Sequence, residues 1–185
     1  MAKVARGEVE YKVCPCPKSI FREAKFVFHF MQKDEASAEA SLLVIPTCQK
    51  ALHDLVKVGP EIEDEKDRLL EVFMDFAQAV CTELRDGGHW ADYIDPCSGL
   101  PMMTEDCNKV YSEVDGMEVL LQYKTMNCGC CKVLLHPEWG SGVYPATMFT
   151  SAPSALVTEV FNRYPLPTRP YYAIVLSRPT ETAVP

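Results

Sequence analysis

Three cysteines fall within four positions of the stretch NCGCCKVLLHPEWG at residues 127–140: Cys128, Cys130 and Cys131. A thiolate is a nucleophile, a redox partner and a soft metal ligand, so such a cluster can do three kinds of chemistry. A second Cys-x-Cys pair, Cys14 and Cys16, lies near the N-terminus. Four thiolates from the two pairs could hold zinc or copper, but structural zinc sites space their cysteines more widely. A disulfide between adjacent Cys130 and Cys131 would close an eight-membered ring and strain the peptide bond. Thiol–disulfide exchange between Cys128 and Cys130 is the remaining covalent alternative.

Strand geometry separates the adjacent cysteines. If CKVLLH is extended, Cys131, Val133 and Leu135 point one way, and Cys130, Lys132, Leu134 and His136 the other. The first set is wholly apolar, which predicts a core-facing Cys131. Cys130 shares the more polar face with Lys132, whose charge favours a thiolate. His136 shares that face but lies about 20 Å along the strand, too far to act as the base of a Cys-His hydrolase. Gly129 clears room beside Cys130 for a large partner. Cys130 is therefore the thiol on which the chemistry is expected.

Other candidates have simpler roles. No dinucleotide loop, P-loop, G-x-S-x-G or H-E-x-x-H is present, nor the Asp-x-His-x-x-Gly by which some enzymes give cobalt a histidine. His29, expected in a strand, and His89, in a loop beside Trp90, have no histidine partner at metal spacing. Asp92 and Asp95 could form a carboxylate pair, but Asp95-Pro-Cys-Ser-Gly fits an Asx turn better. A net charge of −8 without a basic cluster excludes a nucleic-acid partner. No apolar run is long enough to span a membrane. The start, MAKVARGEVEYKV, lacks the apolar core of a signal peptide. A cytoplasmic chain is expected, with residues 1–18 as a flexible arm and 19–185 as one domain. Nine cysteines are too many by one for full pairing, so reduced thiols are expected. Cys48 and Cys81 read as packing residues.

The positioning elements follow from periodicity. SIFREAKF makes a short helix capped by Ser19, and FVFHF and ASLLVI make two strands of a hairpin. A long helix runs from about Glu63 to Arg85 on Leu69, Phe73, Phe76, Val80 and Leu84, and Gly87-Gly88 stop it. MEVLLQYKT, CKVLLH and a segment ending in TMFT read as strands around the packed loop HWADYIDPCSGLP. SALVTEVFNRY is a second helix with Leu156, Val160 and Phe161 inward, and YYAIVL a last strand. The order predicts an α+β fold with a mainly antiparallel sheet flanked by helices.

HWADYIDPCSGLPM, followed by GCCKVLLHPEWG and the Phe149-Thr150 strand end, resembles the CblD family of cobalamin-trafficking proteins, which are affected in methylmalonic aciduria with homocystinuria type D. The specific pieces are WAD-x-IDP-x-SGL and GCCKV-x-x-H-x-x-WG, and the likeness covers about residues 16–150. The resemblance implies a nitroreductase-like scaffold related to the partner CblC, without flavin and without enzymatic activity. It implies docking on cobalamin-loaded CblC, with the first cysteine of GCCK, Cys130, as thiolate ligand to cobalt and Cys131 adjacent and secondary. Cobalamin would then pass to methionine synthase in the cytosol or methylmalonyl-CoA mutase in mitochondria. Cys128 departs from the family pattern. So does the start of the sequence, without the long leader-bearing N-terminal region of animal members; a leader missing from this chain would allow a mitochondrial form.

Overall fold

The computed structural model describes residues 4–6, 9–129 and 131–164. Six strands form a mainly antiparallel sheet whose main path runs β1 (Val4–Arg6), β2 (Val9–Tyr11), β4 (Leu43–Lys50), β8 (Val143–Thr150) and β5 (Ala91–Tyr93). β3 (Cys14–Pro15) joins β4 off that path, through Cys14↔Val44. A separate hairpin, β6 (Lys124–Cys128) with β7 (Cys131–Leu135), stands apart from this sheet. Five α-helices accompany the strands among the described residues, which bears out the α+β class. No helix there is long and apolar enough to cross a membrane.

β4 and β8 form the centre, paired over eight residues from Leu43↔Thr150 to Lys50↔Val143. Residues 44–49 of β4 are all buried, as expected for a strand covered on both faces. The helix α3 (Pro60–Asp86) covers one face and buries Leu69, Phe73, Phe76, Val80 and Leu84, the predicted stripe. Gly87 caps it. α5 (Ser154–Arg163) packs beside it with Val157, Val160 and Phe161 buried, while Leu156 is only partly covered. Each large apolar side chain buried here contributes about 1.5–3 kcal/mol.

Several expectations are corrected. FVFHF is not a strand: α1 (Lys18–Val27) runs into it, and a 3₁₀ turn covers His29–Lys33. Helical periodicity wins because Ile20, Phe21, Ala24 and Val27 bury one stripe, whereas Phe26 is 58% exposed and Phe28 fully buried. The polar stretch after it forms α2 (Glu35–Ser41), whose N-cap Asp34 accepts from Ser37 N–H at 3.3 Å, so no hairpin exists there. Pro17, not Ser19, is the N-cap of α1.

MEVLLQYKT divides: α4 (Glu113–Leu121) takes its first half, Gln122 ends the helix at φ 59°, and β6 follows. The segment expected as an arm is partly built into the sheet, for Val9, Tyr11 and Cys14 are buried in strands. The packed loop contains the short β5. The expected strand YYAIVL lies outside the described residues.

Candidate functional site

The thiol segment is a tight hairpin in continuous register from Lys124↔Leu135 to Cys128↔Cys131. Gly129 sits at φ 60°, the left-handed conformation that such a turn needs and that glycine adopts without strain. Cys130, the residue on which the sequence places the chemistry, lies outside the described residues.

Directly opposed residues share a face, so the register sorts the hairpin into two surfaces. One carries Met126, Cys128 and Cys131, all exposed, with Val133 and Leu135 half-buried. The other carries Lys132, Leu134 and, just past the strand, His136. Leu134 is 2% exposed and packs with Cys48, Met117 and Val143. The expectation of a core-facing Cys131 is therefore wrong. Val133, Leu134 and Leu135 are apolar in succession, so alternation alone could not say which phase the core would take. The core took the Leu134 phase, and Cys131 came out to solvent.

Two anchors fix the hairpin. Lys132 reaches α4, where its Nζ donates to Asp115 Oδ1 at 2.7 Å and Glu118 Oε2 at 2.5 Å. The lysine's hydrogen bond holds Asp115 below the usual aspartate range, and the two carboxylates raise Lys132 in turn. The ammonium is thus matched by two negative charges on the Leu134 side, opposite Cys128 and Cys131. Lys132 thereby makes a positioning contact between the hairpin and α4.

The second anchor is at the hairpin's base. His136 is 2% exposed, and its Nδ1 accepts the backbone N–H of Glu138 and of Trp139, each at 3.2 Å. That engagement assigns the remaining proton to Nε2, which donates to Glu10 Oε2 on β2 at 3.0 Å. Trp139 stacks on the imidazole at 3.9 Å, Tyr123 meets it edge-on, and the Tyr123 hydroxyl donates to Glu10 at 3.3 Å. Gly140 closes the turn by exchanging both backbone hydrogen bonds with His136. The H-x-x-W-G pattern is therefore a staple between hairpin and main sheet, and His136 serves no thiol as a base.

The aspartates are structural too. Asp95 accepts the N–H of Cys97 at 2.9 Å and of Ser98 at 3.3 Å, the expected Asx turn. Asp92 is fully buried and accepts the N–H of Met102 at 3.1 Å and Met103 at 2.9 Å, with Arg85 at 3.8 Å. WAD-x-IDP-x-SGL thus braces a loop against β5.

The remaining described thiols divide by burial, with Cys97 exposed in the Asp95 turn and Cys107 half-buried. Cys48 and Cys81 are packed, and burial pushes the Cys81 thiol up. Cys14 is buried and also raised, and Cys16 is pushed up to about 12, first by desolvation and then by Glu39. Cys14 lies in a core cluster with Ile20, Phe21 and Phe149, whereas Cys128 is exposed on the hairpin. The two Cys-x-Cys segments therefore do not converge on a shared site through these residues. Among the described residues no three His, Cys, Asp or Glu are grouped to hold a metal.

Two features escaped the sequence reading. Met126, 41% exposed, belongs with the cysteines on the outward face, which becomes visible only once the register is known. A surface pocket of about 260 Å³ lies under the 3₁₀ turn and α2, walled by Phe30, Met31, Leu42 and Trp90. The sequence hides it, because the alternation of FVFHF reads Phe30 as a strand residue whereas it lies in the 3₁₀ turn.

The family model described as methylmalonic aciduria and homocystinuria type D protein matches residues 2–160. A curated protein named cobalamin trafficking protein CblD from Rattus norvegicus is 34% identical over 146 residues, covering 79% of this chain and 47% of its own length. Its namesake from Homo sapiens is 33% identical over the same shares. One from Gallus gallus is also 33% identical over 146 residues. The chain spans about half the length of the curated relatives it matches.

Proposed function

The chain belongs to the methylmalonic aciduria and homocystinuria type D protein family, and from that membership we propose that it is a non-catalytic adaptor in intracellular cobalamin trafficking. It docks on a cobalamin-loaded CblC-type protein and presents the β6–β7 hairpin to the cofactor. Cys130 supplies a thiolate to cobalt from the side opposite the partner, with Cys131 as its secondary neighbour. The cofactor then moves toward methionine synthase or methylmalonyl-CoA mutase. The antiparallel sheet with its flanking helices serves as a nitroreductase-like scaffold that carries no flavin.

The observation that carries this reading is the hairpin's outward face, where two cysteines and a methionine sit exposed on a strand pair held firmly from behind. Thiolate sulfur is a soft donor, suited to an electron-rich cobalt centre. A rigid mount keeps the ordering cost of docking low. The cargo remains with the partner, so this chain needs no deep cofactor pocket of its own.

Mixing the chain with a CblC-type protein and reduced cobalamin should change the visible spectrum of the cobalt, and Cys130→Ser should abolish the change. A spectrum that changes equally with Cys130→Ser removes Cys130 as the ligand.

A further inference from the structure

Cys128 and Cys131 frame the hairpin turn as its last register pair, in a Cys-Gly-Cys-Cys segment. Directly opposed antiparallel residues lie about 4.5–5.5 Å apart at Cα, inside the 4.4–6.8 Å that a disulfide spans. Their side chains share one face and both are exposed. A disulfide between the adjacent Cys130 and Cys131 would instead close an eight-membered ring that strains the peptide bond. Cys14, Cys48 and Cys81 are shut in the core.

We propose that Cys128 and Cys131 form a reversible dithiol–disulfide site that closes the tip of the hairpin, with a low-molecular-weight disulfide as oxidant. The thiolate of one cysteine attacks a sulfur of oxidised glutathione. That S–S bond breaks, one glutathione thiolate leaves, and a protein–glutathione disulfide forms. The second cysteine, as thiolate, attacks the protein sulfur of this mixed disulfide and expels the second glutathione. Two electrons pass from the protein dithiol to the glutathione disulfide, and the two thiol protons end on the two released glutathiones.

A loop this short loses little chain entropy when cross-linked, so the bond is weakly protected and easily reduced again. The site thus behaves as a switch rather than a structural staple. Reduced, the hairpin offers thiols beside Met126; oxidised, it offers an apolar disulfide and a locked turn. The site itself does not rest on the cobalt reading.

The test equilibrates the full chain in graded mixtures of reduced and oxidised glutathione, quenches by alkylation, digests the chain and measures mass. The expected result, read on the proteolytic fragment that carries the hairpin, is the loss of one thiol pair and two hydrogens, with no glutathione held on Cys128 or Cys131; the exposed Cys97 lies outside that fragment. Cys130→Ser should keep that loss. Cys128→Ser and Cys131→Ser should each abolish it and trap a glutathione adduct instead. Persistence of the link in Cys128→Ser, its loss in Cys130→Ser, or a wild-type chain that stops at the mixed disulfide would each overturn the proposal. No cobalamin and no partner enter this measurement, so its failure and that of the cobalt assignment are separable.

Discussion

The segments Cys14-Pro15-Cys16 and Cys128-Gly129-Cys130 have the same cysteine spacing, yet the fold treats their described thiols in opposite ways. Cys14 is paired into the sheet against Val44 and packed under α1, and burial raises both it and Cys16. Cys128 stands exposed on a hairpin outside that sheet. Spacing therefore does not make a reactive site. What separates the two is whether the backbone carrying the sulfur runs through the core or leaves it, because desolvation alone can silence a thiol.

The largest expected effect tests that contrast directly. With its thiol pushed up to about 12, Cys16 at pH 8 holds roughly a thousandfold less thiolate than an ordinary cysteine. Timed alkylation followed by mass spectrometry should label Cys128 and Cys131 early and Cys16 only after denaturation. Comparable labelling of Cys16 in the native chain would erase the distinction.

Next comes the staple that holds the exposed region. His136→Ala leaves the buried Glu10 carboxylate without its imidazole partner and removes the surface on which Trp139 stacks. Removing the partner of a buried hydrogen-bonding group costs about 1–3 kcal/mol, and the Tyr123 hydroxyl still donates to Glu10. Chemical denaturation should show that loss. A midpoint within error of wild type would mean that the hairpin is held by Leu134 and Lys132 alone.

The two regions meet at α4, whose first turn carries Glu113. Part of that residue is exposed, but its Oε2 is sealed from solvent without a hydrogen-bond partner, while the Thr147 hydroxyl donates to Oε1. Burial pushes the carboxyl from 4.5 up to about 8. A raised acid binds its proton more tightly when folded, so its stabilising contribution is complete below the unfolded pKa. It then falls as pH rises through the folded one, by about 1.4 kcal/mol per unit at most. Urea midpoints should decline between pH 5 and pH 8, and Glu113→Gln should flatten that slope. An unchanged slope would place the pH sensitivity elsewhere.

How far the sequence foretold this arrangement depended on how many periods a segment satisfies. α3 and α5 were legible because long apolar stripes fit only the helical period. FVFHF and MEVLL fit two periods, and tertiary burial of Ile20, Ala24 and Met117 chose the helix. At the candidate site, the hairpin strand CKVLL was legible but its phase was not, since three successive apolar residues satisfy either face. The roles of His136 and Lys132 needed residues far away in sequence, Glu10 on β2 and Asp115 and Glu118 on α4. Spacing along one strand cannot name such partners.

Lys132 gives the smallest effect and the finest test. Its ion pairs are exposed, so they add little to global stability. Their work is to hold the hairpin's back against α4 while the thiol face stays open. Asp115 is lowered and Lys132 raised, so the signs are opposite at the two ends of the pH scale. The aspartate's contribution is lost only as pH falls through its depressed folded value, below 3.8, and the lysine's only as pH rises above 10.5. Between those limits the clamp is constant, unlike the Glu113 carboxyl one turn away. Lys132→Met should therefore leave the denaturation midpoint unchanged while speeding amide exchange in β6 and β7, equally at pH 6 and pH 8 once the intrinsic rate is divided out. Unaltered exchange would assign the hairpin's pose to the His136 staple alone, and with it the whole positioning of the exposed cysteines.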